Sequence, residues 1–491
     1  MLKKEIKYLI FIYIINMSKF NSELCNESMS FQECELAILR QAVDEAETTQ
    51  GKNIANNSEV LRMISILEAF LKRKRCICYG GTAINNILPK QAQFYDRDVE
   101  IPDYDFYSPT PLDDAKELAD IYVDEGFLEV EAKAGVHHGT YKVYVNFIPI
   151  ADITLLHPIL FDSIEKDAIK VNGIMYCPAN FLRMNMFVEL SRPSGDVSRW
   201  EKVLKRLILL SKYYPMKVEK CHEVEFQRKM ESYVNDAEKL YFTIRDKFID
   251  EEVVFLGGYA TRLFSKYSKK NGEKGDKQLV KKIPDFDVIY EDPEKLGMII
   301  VEQLQSMGFK KAKTITHDAI DEIIPLHVEI RIGKETLAFI YEPVACHSYN
   351  KIRIKDSEVR IATIDTMLNF YLAFYYSNKP YYPRDRILCM ANFLFNMEKN
   401  NRLEQKGLLK RFSIDCYGHQ PTMEEIRAKK LDKFKELKDK RGTDEYDAWF
   451  LKYVYSDGKF QGEKNTNKTK KKKSKKGTRK KKSAKALINL F

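Results

Sequence analysis

The sequence predicts an α+β chain built as a tandem duplication, and three observations carry that expectation. The turn Tyr79-Gly80-Gly81-Thr82 follows the apolar run Cys76-Ile77-Cys78, and Asp103-Tyr104-Asp105 comes 22 residues after its second glycine. Val253-Val254-Phe255-Leu256-Gly257-Gly258 repeats the pattern and leads to Asp285-Phe286-Asp287. Beyond the acids the spacing is identical in both copies, 21 residues from Asp105 to Gly126-Phe127 and 21 from Asp287 to Gly308-Phe309. A repeat of about 180 residues is far too long for a solenoid and reads as two domains of one fold.

Each copy starts with an apolar strand that stops at two glycines and reopens as a helix, the first over Thr82 to Leu88, ended by Pro89. Such a turn is a phosphate cradle: glycines admit an anion close to the backbone, the free N–H groups of the helix start point at it, and Thr82 adds a hydroxyl. A strand period of two puts Asp103 and Asp105 on one face with Tyr104 turned to the core, so the pair can bridge two divalent ions. A third acid, Asp152, stands alone in Ile150-Ala151-Asp152-Ile153-Thr154, where a carboxylate is costly unless it meets a cation. The matching strand is Leu326-His327-Val328-Glu329-Ile330, and Gly81 to Asp152 and Gly258 to Glu329 are both 71 residues.

The remaining elements follow from periodicity. Two amphipathic helices occupy 35–75 around a polar break at Gly51–Asn57, and a helix runs from Pro111 to Glu125. Leu128 to Lys133 and Thr140 to Phe147 alternate as a hairpin, with His137-His138 in its solvated turn. Apolar helices at Pro178 to Leu190 and Val203 to Leu210, the latter with Arg199, Lys202, Lys205 and Arg206 on its polar side, are expected to cap the first site. Ile364 to Tyr376 and Arg386 to Phe395 answer them in the second copy. The tyrosine pairs Tyr213-Tyr214, Tyr375-Tyr376 and Tyr381-Tyr382 are mostly core candidates, with base stacking as the alternative. Lys266 to Lys282 reads as a solvent loop, Glu424 to Lys440 as an exposed helix, and the chain beyond Gly458 as low-complexity. The expected division is an N-terminal extension (1–34), a first domain (35–215), a second (216–400), a helical region (401–457) and a Lys-rich tail (458–491).

The 491 residues, 44% apolar and 12% aromatic, suffice for two cores. The net charge of +10 belongs to the tail: Lys464 to Lys485 holds 13 basic residues and no acid, leaving 68 basic against 71 acidic residues elsewhere, a body near −3. Its run Lys470-Lys471-Lys472-Lys473-Ser474-Lys475-Lys476 suits non-specific RNA binding or a nuclear address. The nine cysteines show no C-x-x-C pair and read as reduced core thiols of an intracellular protein. The apolar run Tyr8 to Ile15 is too short to span a bilayer. It allows a start at Met17 instead of Met1, a helix packed on the body, or an anchor, and no membrane association is expected. Serine-triad, zinc and Walker-lysine patterns are not evident.

A glycine turn, an Asp-x-Asp strand and a third Asp on a later strand resemble the nucleotidyltransferase superfamily, the polymerase-beta-like fold, here as a mixed sheet with flanking helices in each copy. The tandem arrangement, the Tyr79-Gly80-Gly81-Thr82 wording and the basic tail are similar to the poly(A) polymerase catalytic subunits of large cytoplasmic DNA viruses. The turn usually lies closer to the acids in that superfamily, so Lys90 to Ile101 and Lys266 to Ile283 count as insertions.

The resemblance implies template-independent transfer of AMP from ATP to the 3′ end of mRNA. Asp103, Asp105 and Asp152 would bind two Mg²⁺ or Mn²⁺ ions, and Gly80, Gly81 and Thr82 the β- and γ-phosphates. Gly257, Gly258, Asp285, Asp287 and Glu329 are the second-copy equivalents, in a domain read as a degenerate partner because Tyr259 replaces the threonine and Glu329 is a methylene longer than Asp152. The resemblance further implies an RNA 3′ end and ATP as partners, a homodimer or a processivity subunit, and residence in virion and host cytoplasm. Another nucleotidyltransferase (terminal uridylyl, CCA-adding or small-molecule) and a non-catalytic RNA-binding scaffold are the alternatives.

Overall fold

The computed structural model describes residues 24–461 apart from 27, 217, 219–220, 222–223, 268–280, 355–356 and 457–458. The apolar N-terminal run, most of the lysine-rich insertion and the basic tail therefore lie outside the described residues. Among the described residues no helix is long and apolar enough to cross a membrane.

The first unit opens with α1 (Phe31–Ala55) and α2 (Ser58–Arg73), then β1 (Ile77–Tyr79), α3 (Gly80–Ile87), β2 (Tyr104–Ser108) and α4 (Pro111–Asp124). Strands β3 (Val130–Ala134), β4 (Thr140–Val145) and β5 (Ile148–Leu155) follow, then α5 (Pro158–Lys166), β6 (Ile169–Val171), β7 (Ile174–Tyr176), α6 (Ala179–Leu190) and α7 (Trp200–Tyr213). Helix ends are set locally. Asn57 caps α2 by accepting from the Glu59 and Val60 N–H groups, and Pro111 opens α4, where a missing N–H costs nothing.

The second unit repeats this order with one leading helix and without a counterpart of α5. It runs α8 (Ala237–Asp250), β8 (Val254–Leu256), α9 (Gly257–Phe264), β9 (Phe286–Ile289), α10 (Pro293–Ser306), β10 (Ala312–His317), β11 (His327–Ile332) and β12 (Glu335–Tyr341). Then come β13 (His347–Ile354), β14 (Ser357–Ala362), α11 (Ile364–Tyr376), α12 (Arg384–Asn400) and the short β15 (Cys416–Tyr417). The chain closes with α13 (Met423–Leu437), α14 (Asp444–Phe450), β16 (Lys452–Ser456) and β17 (Lys459–Gln461).

Sheet topology makes the duplication explicit. The first sheet is ordered β17-β16-β3-β4-β5-β2-β1-β7-β6 and the second β10-β11-β12-β9-β8-β14-β13-β15. In both, a three-stranded meander leads to the acid strand, then the glycine strand, then two later strands. The acid strand pairs antiparallel with the glycine strand and parallel with the last meander strand. The register fixes the site: Asp105 lies opposite Tyr79 on one side and opposite Asp152 on the other.

Three expectations change. The break at Gly51–Asn57 is shorter than expected, because α1 continues to Ala55. Gly51 is needed there for close approach: a Cβ would sit 2.4 Å from the Val99 carbonyl oxygen in the loop before Asp103. The segment 401–457 is not purely helical, since β15 joins the second sheet and β16 returns to pair with β3 in the first. Six cysteines are not free thiols. Cys25–Cys34, Cys221–Cys389 and Cys346–Cys416 form disulfides, and only Cys76, Cys78 and Cys177 remain as buried thiols. Separations of 168 and 70 residues hid two of these pairs from any spacing rule. Thiol titration of denatured, unreduced protein should therefore read three groups, rising to nine after reduction; nine before reduction would remove the bridges.

Candidate active site

In the first unit, β1 delivers the chain to Gly80, whose φ of +75° is a conformation side chains disfavour. A Cβ there would lie 2.5 Å from Asp105 Oδ2. Over Gly81 the same construction meets the Tyr95 hydroxyl at 2.7 Å and the Arg206 guanidinium at 2.9 Å. Two movable side chains thus cover the turn. Thr82 is buried and its hydroxyl has no hydrogen-bond partner, so a donor stands free beside the cavity of about 400 Å³ that Thr82, Asn85, Tyr95, Arg97 and Asp103 line.

The three acids share one face and two adjacent strands. Asp103 precedes β2 and Asp105 lies within it, while Tyr104 points into the core and is fully buried. Like charges in a half-buried place resist ionisation. Burial, then Asp103 and Asp152, push the Asp105 carboxyl up to about 7, against Lys142 and Arg199. Burial and Asp152 raise Asp103 as well, against Lys142 and Lys202. The cation that Asp152 requires is the Lys142 ammonium, directly opposite on β4. Among the described residues no group of three or more His, Cys, Asp or Glu side chains is gathered closely enough to hold a metal ion. The donor chemistry nevertheless fits one, since hard carboxylate oxygens suit Mg²⁺ or Mn²⁺ when substrate oxygens complete the shell.

Helix α7 supplies residues that sequence reasoning left as a polar face. Lys202 and Arg206 of α7, with Arg199 at its N-cap, recur at helical spacing and act on the acids or on Glu189 of α6. Arg206 donates to the Tyr95 hydroxyl at 2.5 Å and lies over the Phe94 and Tyr95 rings at 5.1 and 5.4 Å. The period-3.6 pattern signalled this face; its partner, Tyr95 in the insertion, had no sequence signal.

The second unit keeps the glycine turn and the paired acids and fills the space, but the expected match of Glu329 to Asp152 fails. Phe339 of β12 lies opposite Asp287, and Glu329 stands one strand further out on β11, where the first unit has Lys142, because equal sequence spacing does not fix which strand pairs with the acids. Gly257 has φ +70° and approaches Asp287 as Gly80 approaches Asp105. Over Gly258, however, lies a backbone atom, the Phe226 carbonyl oxygen, 2.2 Å from where a Cβ would stand. The next turn of that linker places Arg228 against the acids. Its guanidinium is 2.5 Å from Asp285 and 3.7 Å from Asp287, its backbone N–H donates to Asp285 Oδ2 at 2.8 Å, and Arg386 approaches Asp285 at 3.4 Å. Asp285 is fully buried. Glu329 accepts from Thr336 at 2.5 Å and pairs with His317 at 3.1 Å and Arg331 at 3.4 Å. Tyr259 joins an aromatic cluster with Phe255 and Phe286 instead of lining a cavity.

Other candidates are distributed elsewhere. His138 packs on Trp449 of the returning C-terminal segment at 4.2 Å, and Tyr376 and Tyr382 are core residues.

A glycine turn against a strand of paired acids, with a third acid in register on the next strand, defines a nucleotidyltransferase-type fold in the first unit, and the second unit repeats the turn and the paired acids without the third. The chain is similar to the poly(A) polymerase catalytic subunits of large DNA viruses: the family model for the poly(A) polymerase catalytic subunit matches residues 65–196. A relative from African swine fever virus (isolate Tick/Malawi/Lil 20-1/1983), named "putative poly(A) polymerase catalytic subunit", is 32% identical over 173 residues, 34% of this chain and 36% of its own. One from Acanthamoeba polyphaga mimivirus bears the same name and is 33% identical over 159 residues, 31% of this chain and 26% of its own. These matches span 36% and 26% of the two curated relatives' length. The crystal structure of the Megavirus polyadenylate synthase matches with a TM-score of 0.71 at 20% identity, covering 88% of this chain and 87% of that one, which shows a shared fold.

Two predictions test the electrostatics. The folded state keeps the Asp105 proton up to about 7 whereas the ordinary carboxylate value is 3.8, so stability falls as pH rises between these values. Asp105→Asn should raise the unfolding temperature in EDTA at pH 8 by about 2 °C or more, with the gap closing at pH 4. Arg228→Ala leaves Asp285 buried opposite Asp287 without its cation and should cost about 3–5 kcal/mol in denaturant titration. An unchanged midpoint would mean that other groups neutralise the pair.

Proposed function

We propose that this chain is an RNA 3′-terminal adenylyltransferase, a template-independent poly(A) polymerase acting from its first unit. The observation that carries the reading is the first-unit constellation of glycine turn, three register-matched acids and the basic face of α7, within the segment that the poly(A) polymerase family model matches. We take residues 35–215 as the catalytic domain and 216–400 as a degenerate partner, because guanidinium groups already neutralise the second set of acids.

Asp103, Asp105 and Asp152 would hold two Mg²⁺ or Mn²⁺ ions, with Lys142 releasing Asp152 as positive charge arrives. Bound there, such ions supply activation of the primer 3′-hydroxyl and neutralisation of the pyrophosphate leaving group. The chain's own groups do the rest. Gly80 and Gly81 expose helix-start N–H groups to the β- and γ-phosphates, and the free Thr82 hydroxyl donates a further hydrogen bond. Arg206 and the Tyr95 hydroxyl already lie where a phosphate on Gly81 would sit, so they would swing from the turn onto the triphosphate. Lys202 and Arg199 oppose the charge of the acids and would steer the nucleotide in. The Lys-rich tail, including Lys470 to Lys473, Lys475 and Lys476, would retain RNA through phosphate contacts between additions. A homodimer or a processivity subunit, and work in virion and host cytoplasm, complete the proposal.

Incorporation of each labelled NTP onto a 3′-hydroxyl RNA with Mg²⁺ or Mn²⁺ tests the reading. Long ATP-only products are expected, lost by at least about a hundredfold in Asp103→Ala/Asp105→Ala and kept in Asp285→Asn/Asp287→Asn. Uridylate products would move the chain to another nucleotidyltransferase activity. No incorporation with any nucleotide would leave RNA binding alone.

A further inference from the structure

A second cavity, about 180 Å³, lies between the two units. The first unit lines it with Tyr107 of β2, Asn185 of α6 and Arg192 just beyond; the second adds Glu322 from the β10–β11 loop, His347 at the start of β13 and Asn369 of α11. His347 is fully buried, and neither ring nitrogen has a hydrogen-bond partner. Arg192 Nε is buried without a partner too, and the acid that acts on this guanidinium is Glu322 across the cavity. A buried imidazole with neither nitrogen paired and a guanidinium whose buried Nε has no acceptor are exceptions to the rule that buried polar groups are paired. Burial, and then Arg192, push His347 down to about 3, so the ring is neutral and offers one N–H.

We propose that this interface cavity binds a small protonated oxyanion of the phosphate class, held between the units by Arg192, His347 and Asn369. The guanidinium matches two oxygens of a tetrahedral anion, and the imidazole N–H and the Asn369 amide supply the remaining donors. Glu322 selects the anion. Its carboxylate repels a fully deprotonated ion such as sulfate, but accepts a hydrogen bond from the P–OH of hydrogenphosphate. The volume suits one such ion with a little water, since it corresponds to on the order of six waters and is too small for a nucleotide.

The site is separate from the glycine turn. Tyr107 is four residues along β2 from Asp103, about 13 Å in an extended strand. The two are coupled all the same: the Tyr107 ring stacks at 4.0 Å on Tyr79, the residue that leads into Gly80. Because both units supply its contacts, the bound anion stabilises their docking.

The test is calorimetric titration and thermal unfolding of the full chain in chloride buffer, without nucleotide or divalent metal, using inorganic phosphate and, separately, sulfate. Phosphate is expected to bind saturably at a site that depends on Arg192 and to raise the unfolding temperature, with sulfate weaker there by about tenfold or more. Arg192→Gln should weaken phosphate by about tenfold, while Arg206→Gln, at the glycine turn, leaves it unchanged. Glu322→Gln alters an exposed loop position and should bring sulfate to within about threefold of phosphate. Equal phosphate binding by wild type and Arg192→Gln, loss in Arg206→Gln instead, sulfate matching phosphate in wild type, or no saturable binding would each overturn the site. No outcome depends on the polymerase reading, because nucleotide and RNA are absent.

Discussion

No side chain fits between the glycine turn and the acid strand, in either unit. Gly80 and Gly257 both take positive φ, and a Cβ on either would press into the carboxylate that lies opposite the residue just before it, 2.5 Å from Asp105 and 2.0 Å from Asp287. This contact sets the rest of the site. It brings helix-start N–H groups beside carboxylates that repel one another, so the fold must bring cations to both. Lys142 comes from the meander, Lys202 from α7 and Arg199 from just before it, two places more than 50 residues apart in sequence that meet around these acids.

The two units answer the same electrostatic demand differently. In the first, the acids keep an unsatisfied balance: Asp105 is held up near 7, and the groups over Gly81 are the ends of long side chains that can leave. In the second, a linker backbone covers Gly258, and Arg228 and Arg386 form ion pairs with a fully buried Asp285. Breaking a buried pair is expensive, so those guanidiniums act as permanent counter-ions. Conservation of residue type between the copies therefore coexists with different chemistry, and the difference comes from residues outside the motif.

The units also depend on each other. Helices α6 and α11 pack together, with Phe181 and Tyr376 edge to face at 5.3 Å, and Asp321 accepts the His157 N–H at the start of α5 at 2.7 Å. The C-terminal segment strengthens this, because β15 belongs to the second sheet and β16 to the first. A duplicated fold thus becomes one body with a polar seam, and that seam holds the unpartnered His347 ring and Arg192 Nε.

The sequence by itself determined the α+β duplication, the turn, the acids and most helices, because glycine pairs, a period of two and a period of 3.6 are local signals that survive without tertiary context. It carried the identity of Asp103, Asp105 and Asp152 but not that Lys142 faces the third acid, nor that Gly51 serves contact with Val99 and not a helix break. Only the tertiary structure decided which cysteines pair, that Tyr95 and Arg206 meet over Gly81, and that Arg228 fills the second site. Each of these joins residues tens to more than a hundred positions apart, and such contacts are fixed by how sheets and helices pack, which no local pattern encodes.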